Sequence, residues 1–156
     1  MMSSKVKPIP EDRQTVTPYL TIRNAAAALE FYKQIFGATE KMRMAEPDGK
    51  VGHAEIEIGK TRIMISDEYP ELDVLGPESR GGTTAGLHLL VDDVDAVFSA
   101  AVAAGAKELK PVSDQFYGER SGKLADPFGH VWYIGTVKEQ LSDEEVQSRY
   151  EDLMKQ

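Results

Sequence analysis

Three side chains have the chemistry of a metal or proton-transfer site: His53, Glu55 and His88. Successive side chains of a strand point to opposite faces, so His53 and Glu55 share one face of the strand predicted over 51–58. Two imidazoles and a carboxylate suit a divalent transition metal, and His88 or Glu55 alone could act as a general base. Alternatively, each histidine hydrogen-bonds a neighbour or a ligand, because nothing in the spacing forces the three residues together.

A second group of candidates lies in a predicted loop before a strand of the second half. Arg120 could give a bidentate hydrogen bond to a ligand carboxylate or phosphate, or it could pair with Glu119 or Asp114 at the surface. Tyr117 and Phe116 could form an aromatic wall for a planar or apolar ligand, or they could anchor the loop. The sequence leaves both interpretations open for each residue.

The composition excludes several classes of protein. The 156 residues carry a net charge of −8 at pH 7, which argues against binding to nucleic-acid phosphates or an anionic membrane surface. Cysteine is absent, so disulfides, thiolate nucleophiles and cysteine zinc sites are excluded. No apolar run approaches the roughly 20 residues that span a bilayer, and residues 1–14 indicate a flexible leader without a signal-peptide core. We therefore expect a cytoplasmic protein with a single main domain.

The chain contains an internal repeat. Residues 19–38 and 87–106 each show a short apolar strand, a capping Asx residue, a helical stretch and a closing Gly-Ala. Asn24 and Asp93 are the predicted N-caps, because their side chains can accept a hydrogen bond from the first turn. The positions expected to be buried at helical spacing are Leu29, Tyr32 and Phe36 in the first helix and Val94, Val97, Phe98, Ala101 and Val102 in the second.

Three predicted strands follow each helix, so each half has the pattern βαβββ. They cover residues 38–45, 51–58, 61–67, 107–111, 122–125 and 130–136. The predicted fold is α+β, with two βαβββ modules whose curved mixed sheets surround a cleft. The modules span 15–68 and 85–136 within a domain over 15–136, joined by a linker at 69–84.

A helical extension over 137–156 completes the chain. Ser142 and Glu145 form a capping box for a helix over 141–156 with an apolar stripe. The stripe could pack on its own domain or on a second subunit.

The order of these motifs resembles the vicinal oxygen chelate superfamily, which includes glyoxalase I, bleomycin-resistance proteins and extradiol dioxygenases, and within it the PhnB-like branch. The motifs that carry the resemblance, over about residues 15–136, are Thr17–Leu20, Asn24, Leu29–Tyr32, Phe36–Gly37, His53–Glu55, Ser66–Glu68, Val91–Val94, Gly105, Tyr117–Arg120 and Asp126–Trp132. The resemblance implies two modules around a cleft, usually in a homodimer. In metal-dependent members it also implies a divalent ion held by His or Gln and Glu from the first and fourth strand of each module.

Mapped onto the strand alternation, those ligand positions fall on Thr17, Met64, Gly86 and Tyr133. Glycine has no ligating side chain, a thioether is a poor ligand for hard divalent ions, and neutral Thr and Tyr are weak ligands. A shift of one residue replaces Met64 by Ile65, which is no better. We therefore predict no metal and no cofactor at these positions.

The sequence thus predicts a protein that binds a small organic ligand in the cleft between the two modules and across a homodimer, and it leaves open whether the modules pair within one chain or between two. The residues expected to line the site are Tyr19, His53, Glu55, Met64, His88, Tyr117, Arg120 and Tyr133. Two enzymes are alternatives: a metal-dependent lyase, isomerase or dioxygenase that uses His53, Glu55 and His88, and a metal-free enzyme with His88 or Glu55 as base. Neither nucleic acid nor membrane is an expected partner.

Overall fold

The computed structural model describes residues 5–156. Of the leader predicted over 1–14, residues 1–4 therefore lie outside the described residues. Residues 5–18 contain no helix or strand. The side-chain amide of Gln14 nevertheless binds the backbone of Arg62, and its Nε2 donates to the Arg62 carbonyl at 3.1 Å. Within the described range, every helix is too short or too polar to cross a bilayer.

Residues 5–156 form two four-stranded mixed sheets and four helices. The strands are β1 Tyr19–Thr21, β2 Thr39–Ala45, β3 Val51–Ile58, β4 Thr61–Ser66, β5 Gly86–Leu90, β6 Lys107–Asp114, β7 Glu119–Ala125 and β8 Val131–Val137. The helices are α1 Ala25–Phe36, α2 Pro77–Arg80, α3 Val94–Ala103 and α4 Asp143–Met154. Sheet 1 has the strand order β1-β4-β3-β2, and sheet 2 has the order β5-β8-β7-β6. The first pair in each sheet, β1 with β4 and β5 with β8, is parallel. The remaining neighbouring pairs are antiparallel. The predicted α+β class and the two βαβββ modules are confirmed.

Both module helices begin and end close to the positions that the sequence predicts. Asn24 and Asp93 each accept a hydrogen bond from the backbone N–H three residues later, at 3.4 and 3.2 Å. After α1, Gly37 adopts φ 69°, and after α3, Gly105 adopts φ 109°. Glycine reaches this left-handed region without the steric cost that other residues have there, so it lets each helix stop sharply.

A second contact repeats in both modules at the helix N-termini. In the first module the buried Asp67 carboxylate accepts from the backbone N–H of Ala25, at 2.9 Å, and from that of Val51, at 2.7 Å. In the second module Thr136 Oγ1 accepts from Val94 N at 2.9 Å. Asp67 and Thr136 both lie within one residue of the C-terminal end of the strand that runs parallel to the first strand of their module. The repeat therefore preserves the geometry of this contact while the side chain changes.

The core is shared by the two modules. Helices α1 and α3 contact one another, and each also contacts strands of its own module. The Trp132 ring of β8 packs against two aromatic rings of α1, with centroids 4.6 Å from Phe36 and 5.5 Å from Tyr32. Trp132 is almost fully buried, and the helix that covers it is α1 of the other module. Each sheet therefore has one face towards this core and one face towards the outside.

A buried carboxylate ties the modules together at the same place. Asp126, 3% exposed, accepts hydrogen bonds from Tyr32 Oη at 2.5 Å and Trp132 Nε1 at 2.9 Å. It also accepts from the backbone N–H groups of Phe128 and His130, at 2.9 and 3.0 Å. Burial and the neighbouring Asp126 raise the pKa of Tyr32 well above its usual value, so Tyr32 keeps its proton. The Asp126 carboxylate is thus the shared acceptor of both modules.

The second module differs from its predicted outline. Strands β6 and β7 are longer than expected because residues 115–118 form a tight hairpin turn, in which Gly118 N–H donates to the Gln115 carbonyl at 3.2 Å and Gly118 adopts φ 86°. The loop position predicted for Arg120 is therefore wrong, since this residue belongs to β7. The prediction that Val102 is buried is also wrong, because its side chain stays 40% exposed.

The linker and the C-terminal helix also depart from the sequence pattern. The segment 69–84, predicted as a loop, contains a 3-10 turn at Pro70–Leu72 and the short helix α2, each with proline near its start, where a missing N–H costs little. Helix α4 is capped by Ser142 as predicted. It has no buried residue, and its Tyr150 ring lies 5.8 Å from Phe116.

The strand at one edge of each sheet is irregular. The pairing of β2 with β3 shifts register twice, because Lys41 of β2 and Gly52 of β3 have no partner on the opposite strand. The pairing of β6 with β7 also shifts twice, and β6 contains Pro111. Such bulges bend a strand and locally interrupt its hydrogen-bonding ladder.

Candidate functional site

Four polar side chains form a connected row on the outward face of sheet 1. Tyr19 Oη lies 2.6 Å from His53 Nδ1, and His53 Nε2 lies 2.9 Å from Glu55 Oε2. The other carboxylate oxygen of Glu55 accepts from Arg62 Nη1 at 3.2 Å. The row runs across three neighbouring strands, β1, β4 and β3, and Met64 of the middle strand pairs with both Tyr19 and Glu55. Strand order brings together residues that are far apart in the sequence.

Burial and charge differ along this row. Tyr19 is 51% exposed, whereas Glu55 is 6% exposed. The hydrogen bond from His53, assisted by Arg62, lowers the pKa of Glu55 below its usual value despite burial. Glu55 is therefore an ionised acceptor that orients His53, and Tyr19 is the member of the row that faces solvent.

Replacing Glu55 by glutamine should change how stability depends on pH. Because the folded state lowers the Glu55 pKa below its usual value of about 4.5, the ionised carboxylate stabilises the fold above that pH. This contribution is lost as the pH falls through the folded-state pKa. We expect the difference in unfolding free energy between wild type and Glu55→Gln to be largest at neutral pH and to shrink below about pH 4.5, as measured by urea unfolding at a series of pH values.

Glu57→Gln is the matched control, since Glu57 lies two residues along the same strand and approaches Arg62 only to 3.7 Å. Its difference from wild type should vary less with pH. A Glu55→Gln difference that stays constant down to pH 3 would contradict the assigned hydrogen bonds.

An open cavity of about 500 Å³ adjoins Tyr19 on the same face. Its walls come from β1, β3, β4 and the linker, and its lining residues are Tyr19, Thr21, Gly52, Ser66, Tyr69, Leu72 and Val74. Small-molecule sites in proteins are typically concave, mostly apolar and roughly 300–1,000 Å³ in volume. The cavity therefore has the size and the lining of a site for a small organic molecule.

The outward face of sheet 2 carries a second histidine–carboxylate pair. His88 Nε2 lies 2.7 Å from Glu119 Oε1, and the His88 side chain is 52% exposed. The Glu119 carboxylate lies directly over Gly135, where a Cβ atom would collide with it. In the same way the Tyr133 ring lies over Gly86, whose Cβ would meet Tyr133 Cε2 at 2.5 Å. Because Gly135 and Gly86 have no side chain, the Glu119 carboxylate and the Tyr133 ring can lie directly against the backbone of the sheet.

Two further residues complete the sheet 2 face. Lys123 Nζ lies 5.2 Å from the centroid of the Tyr133 ring, within the range of a cation–π contact. Tyr117 Oη lies 3.2 Å from Ser121 Oγ on β7, so the turn that carries Tyr117 reaches this face. The Tyr117 side chain is also in edge-to-face contact with Phe116.

The structure divides the predicted site residues into three groups. Tyr19, His53, Glu55 and Met64 lie on sheet 1, and His88, Tyr117 and Tyr133 lie on the outward side of sheet 2. Arg120 points to the helix side of sheet 2, where its guanidinium binds Asp95 of α3 at 2.8 and 3.0 Å and Asp114 at 3.3 Å. The surface pairing with Asp114 that the sequence left open is present, and Asp95 is an additional partner.

The three candidate metal ligands are not assembled within one chain. His53 and Glu55 are hydrogen-bonded to each other on sheet 1, while His88 is bonded to Glu119 on sheet 2. Across residues 5–156, no three His, Asp or Glu side chains are close enough together to hold a metal ion. The residues at the implied family ligand positions also fit a metal poorly, because Met64 offers only a thioether and the Tyr133 ring covers Gly86.

The sequence reasoning missed two functional candidates. Arg62 lies two residues before Met64, so strand alternation alone places it on the same face as Met64. Glu119 was assigned to a loop, and only the longer β7 reveals that it shares a face with Ser121 and Lys123. Recognising a hairpin turn that ends at Gly118 would have placed Glu119 at the start of this strand.

Comparisons with known proteins agree with this architecture. The family model described as the Glyoxalase/Bleomycin resistance protein/Dioxygenase superfamily matches residues 14–134. Uncharacterized protein Mb0911c of Mycobacterium bovis is 39% identical over 136 residues, which cover 85% of this chain and 90% of that protein.

Solved structures share the fold at lower identity. The PhnB protein of Bacillus cereus has a TM-score of 0.64 and 20% identity, covering 80% of this chain and 100% of that one. The fosfomycin resistance protein FosX of Listeria monocytogenes, in complex with Mn(II) and sulfate, has a TM-score of 0.63 and 18% identity, covering 88% of this chain and 97% of that one. At these identities the likeness concerns the fold alone.

Proposed function

This chain belongs to the glyoxalase/bleomycin resistance protein/dioxygenase superfamily, and on that premise we propose that it binds a small organic ligand on the outward face of sheet 1. In this proposal a second copy of the chain closes the site with the outward face of its sheet 2, and the family metal takes no part. The cavity of about 500 Å³ beside Tyr19 is the observation that carries the proposal.

A second chain is needed because the two outward faces do not meet within one chain. Helices α1 and α3 and the shared aromatic cluster occupy the space between the sheets. Tyr19 and His88 are each about half exposed, and no hydrogen bond in residues 5–156 joins the two outward faces. A homodimer in which sheet 1 of one chain faces sheet 2 of the other would cover both faces in two equivalent sites.

The proposal can be tested by subunit complementation. Thr21→Trp fills the cavity on sheet 1, and His88→Trp places a bulky ring on sheet 2. Each variant alone should lose binding of the uncharged fluorescent probe N-phenyl-1-naphthylamine. After the two variants are unfolded together and refolded, half of the dimers should be mixed, and each mixed dimer should contain one intact site, so about one quarter of the wild-type sites should return.

Sedimentation and circular dichroism should show that each variant is folded and dimeric. Failure to recover any binding on mixing would mean that the two faces do not share a site between chains. Normal binding by the His88→Trp homodimer would mean that sheet 2 does not contact the ligand. Both results would contradict the shared site.

A further inference from the structure

We propose that Tyr19 is a proton-transfer residue, and that the ligand is a small apolar molecule with an acidic hydroxyl group, a phenol or an enol. This inference rests on the proposed function, because it takes the cavity beside Tyr19 to be the ligand site. It adds the chemical class of the ligand and the path of its proton.

The hydrogen-bonded row fixes the direction in which a proton can move. Glu55 is ionised and can only accept, so the Nε2 atom of His53 carries a hydrogen and donates it to Glu55. In neutral His53 this leaves Nδ1 as an acceptor, 2.6 Å from the Tyr19 hydroxyl. Tyr19 therefore donates to His53, and its oxygen lone pairs are free to accept a proton from a group in the cavity.

The transfer is balanced without any further reagent. The hydrogen of the ligand hydroxyl moves to Tyr19 Oη while the Tyr19 hydrogen moves to His53 Nδ1. One O–H bond of the ligand breaks, one O–H bond of Tyr19 is exchanged, and one N–H bond of His53 forms. The ligand becomes an anion, His53 becomes a cation and Tyr19 stays neutral.

The hydrogen-bonded row offers the charged product a partner of opposite charge. The imidazolium would donate from Nε2 to the Glu55 carboxylate, and hydrogen bonds to charged groups are stronger than neutral ones. Arg62 holds the second oxygen of Glu55 at 3.2 Å, which keeps the carboxylate in place as the proton arrives. Glu55 and Arg62 are therefore positioning residues, and Tyr19 is the group that would touch the ligand.

The lining of the cavity selects the type of acid. None of the described residues that line it carries a permanent positive charge, and its walls include Leu72 and Val74. A phosphate or carboxylate arrives already ionised and is usually held by arginine or lysine. A phenol or enol arrives neutral, and His53 becomes its positive partner by taking up the proton.

The test uses 4-nitrophenol and its neutral analogue 4-nitroanisole, in which a methoxy group replaces the hydroxyl. Affinities come from displacement of N-phenyl-1-naphthylamine, and ionisation comes from the nitrophenolate absorbance band. At a pH where free 4-nitrophenol is mostly neutral, we expect the bound form to show the phenolate band. We also expect wild type to prefer nitrophenol over nitroanisole by about tenfold, as a charge-assisted hydrogen bond would give.

Tyr19→Phe and His53→Gln should each abolish the phenolate band and lower the affinity for nitrophenol to that for nitroanisole. Tyr150→Phe on α4 is the matched control and should behave like wild type. A merely structural role of Tyr19 would weaken both probes equally.

The outcomes separate this inference from the function on which it rests. If both probes bind but bound nitrophenol stays neutral, or if Tyr19→Phe keeps the phenolate band, the proton-transfer role is wrong and ligand binding stands. If neither probe displaces N-phenyl-1-naphthylamine from wild type, the proposed site itself is wrong and this inference is overturned with it.

Discussion

Replacing Asp126 by alanine is expected to lower the free energy of unfolding by about 3–5 kcal/mol. The carboxylate is 3% exposed and accepts four hydrogen bonds, two from aromatic side chains and two from backbone N–H groups. Alanine would leave these buried donors without a partner, and each such donor costs about 1–3 kcal/mol. Equilibrium urea unfolding measures the loss.

Asp114→Ala is the matched control, because its side chain is 78% exposed and pairs only with Arg120. This variant should change stability by no more than about 0.5 kcal/mol. Tyr32→Phe removes a single donor to Asp126 and should cost about 1 kcal/mol. If Asp126→Ala lowers the free energy of unfolding by less than about 1 kcal/mol, the hydrogen bonds to Asp126 do not hold the two modules together.

Replacing Trp132 by alanine should cost about 3–5 kcal/mol through the cavity that it leaves. The indole ring lies between the two modules, against Phe36 and Tyr32 of α1, and its Nε1 donates to Asp126. Thermal or urea unfolding followed by circular dichroism measures the change without relying on tryptophan fluorescence.

Trp132→Phe is the comparison variant, since it keeps an aromatic ring and loses the N–H group, so it should cost less than alanine. The double variant Asp126→Ala with Trp132→Ala should lose less than the sum of the single losses, because the two side chains share a hydrogen bond. Strict additivity would show that they act independently.

Much of the fold can be predicted from local patterns. Helix α1 combines a capping Asn24, apolar residues at helical spacing and a terminal Gly37, and the structure shows all three. Strand alternation correctly turned Tyr19, His88 and Tyr133 outward. These features depend on neighbours within a few residues, where periodicity and capping are informative.

The hydrogen-bonded row of sheet 1 could be predicted only in part. Alternation places His53 and Glu55 on one face, but the bond from Tyr19 to His53 depends on the order of three strands in the sheet. Similarly, no local pattern indicates that Trp132 packs on α1 of the other module or that His130 Nε2 reaches the backbone oxygen of Thr21, 3.0 Å away. Those contacts depend on how the two modules pack together, and this packing involves residues that are far apart in the sequence.

The irregular edge strands have a consequence for solubility at high concentration. A flat, regular edge presents a row of free N–H and C=O groups to which a strand of another molecule can add, and this is a common start of aggregation. In β2 the unpaired residue Lys41 interrupts that row, and a second shift follows where Gly52 of the neighbouring strand β3 is unpaired. In β6 two shifts and Pro111 interrupt the row in the same way. The strands at these margins therefore resist the growth of an intermolecular sheet, although the outward face of each sheet is exposed.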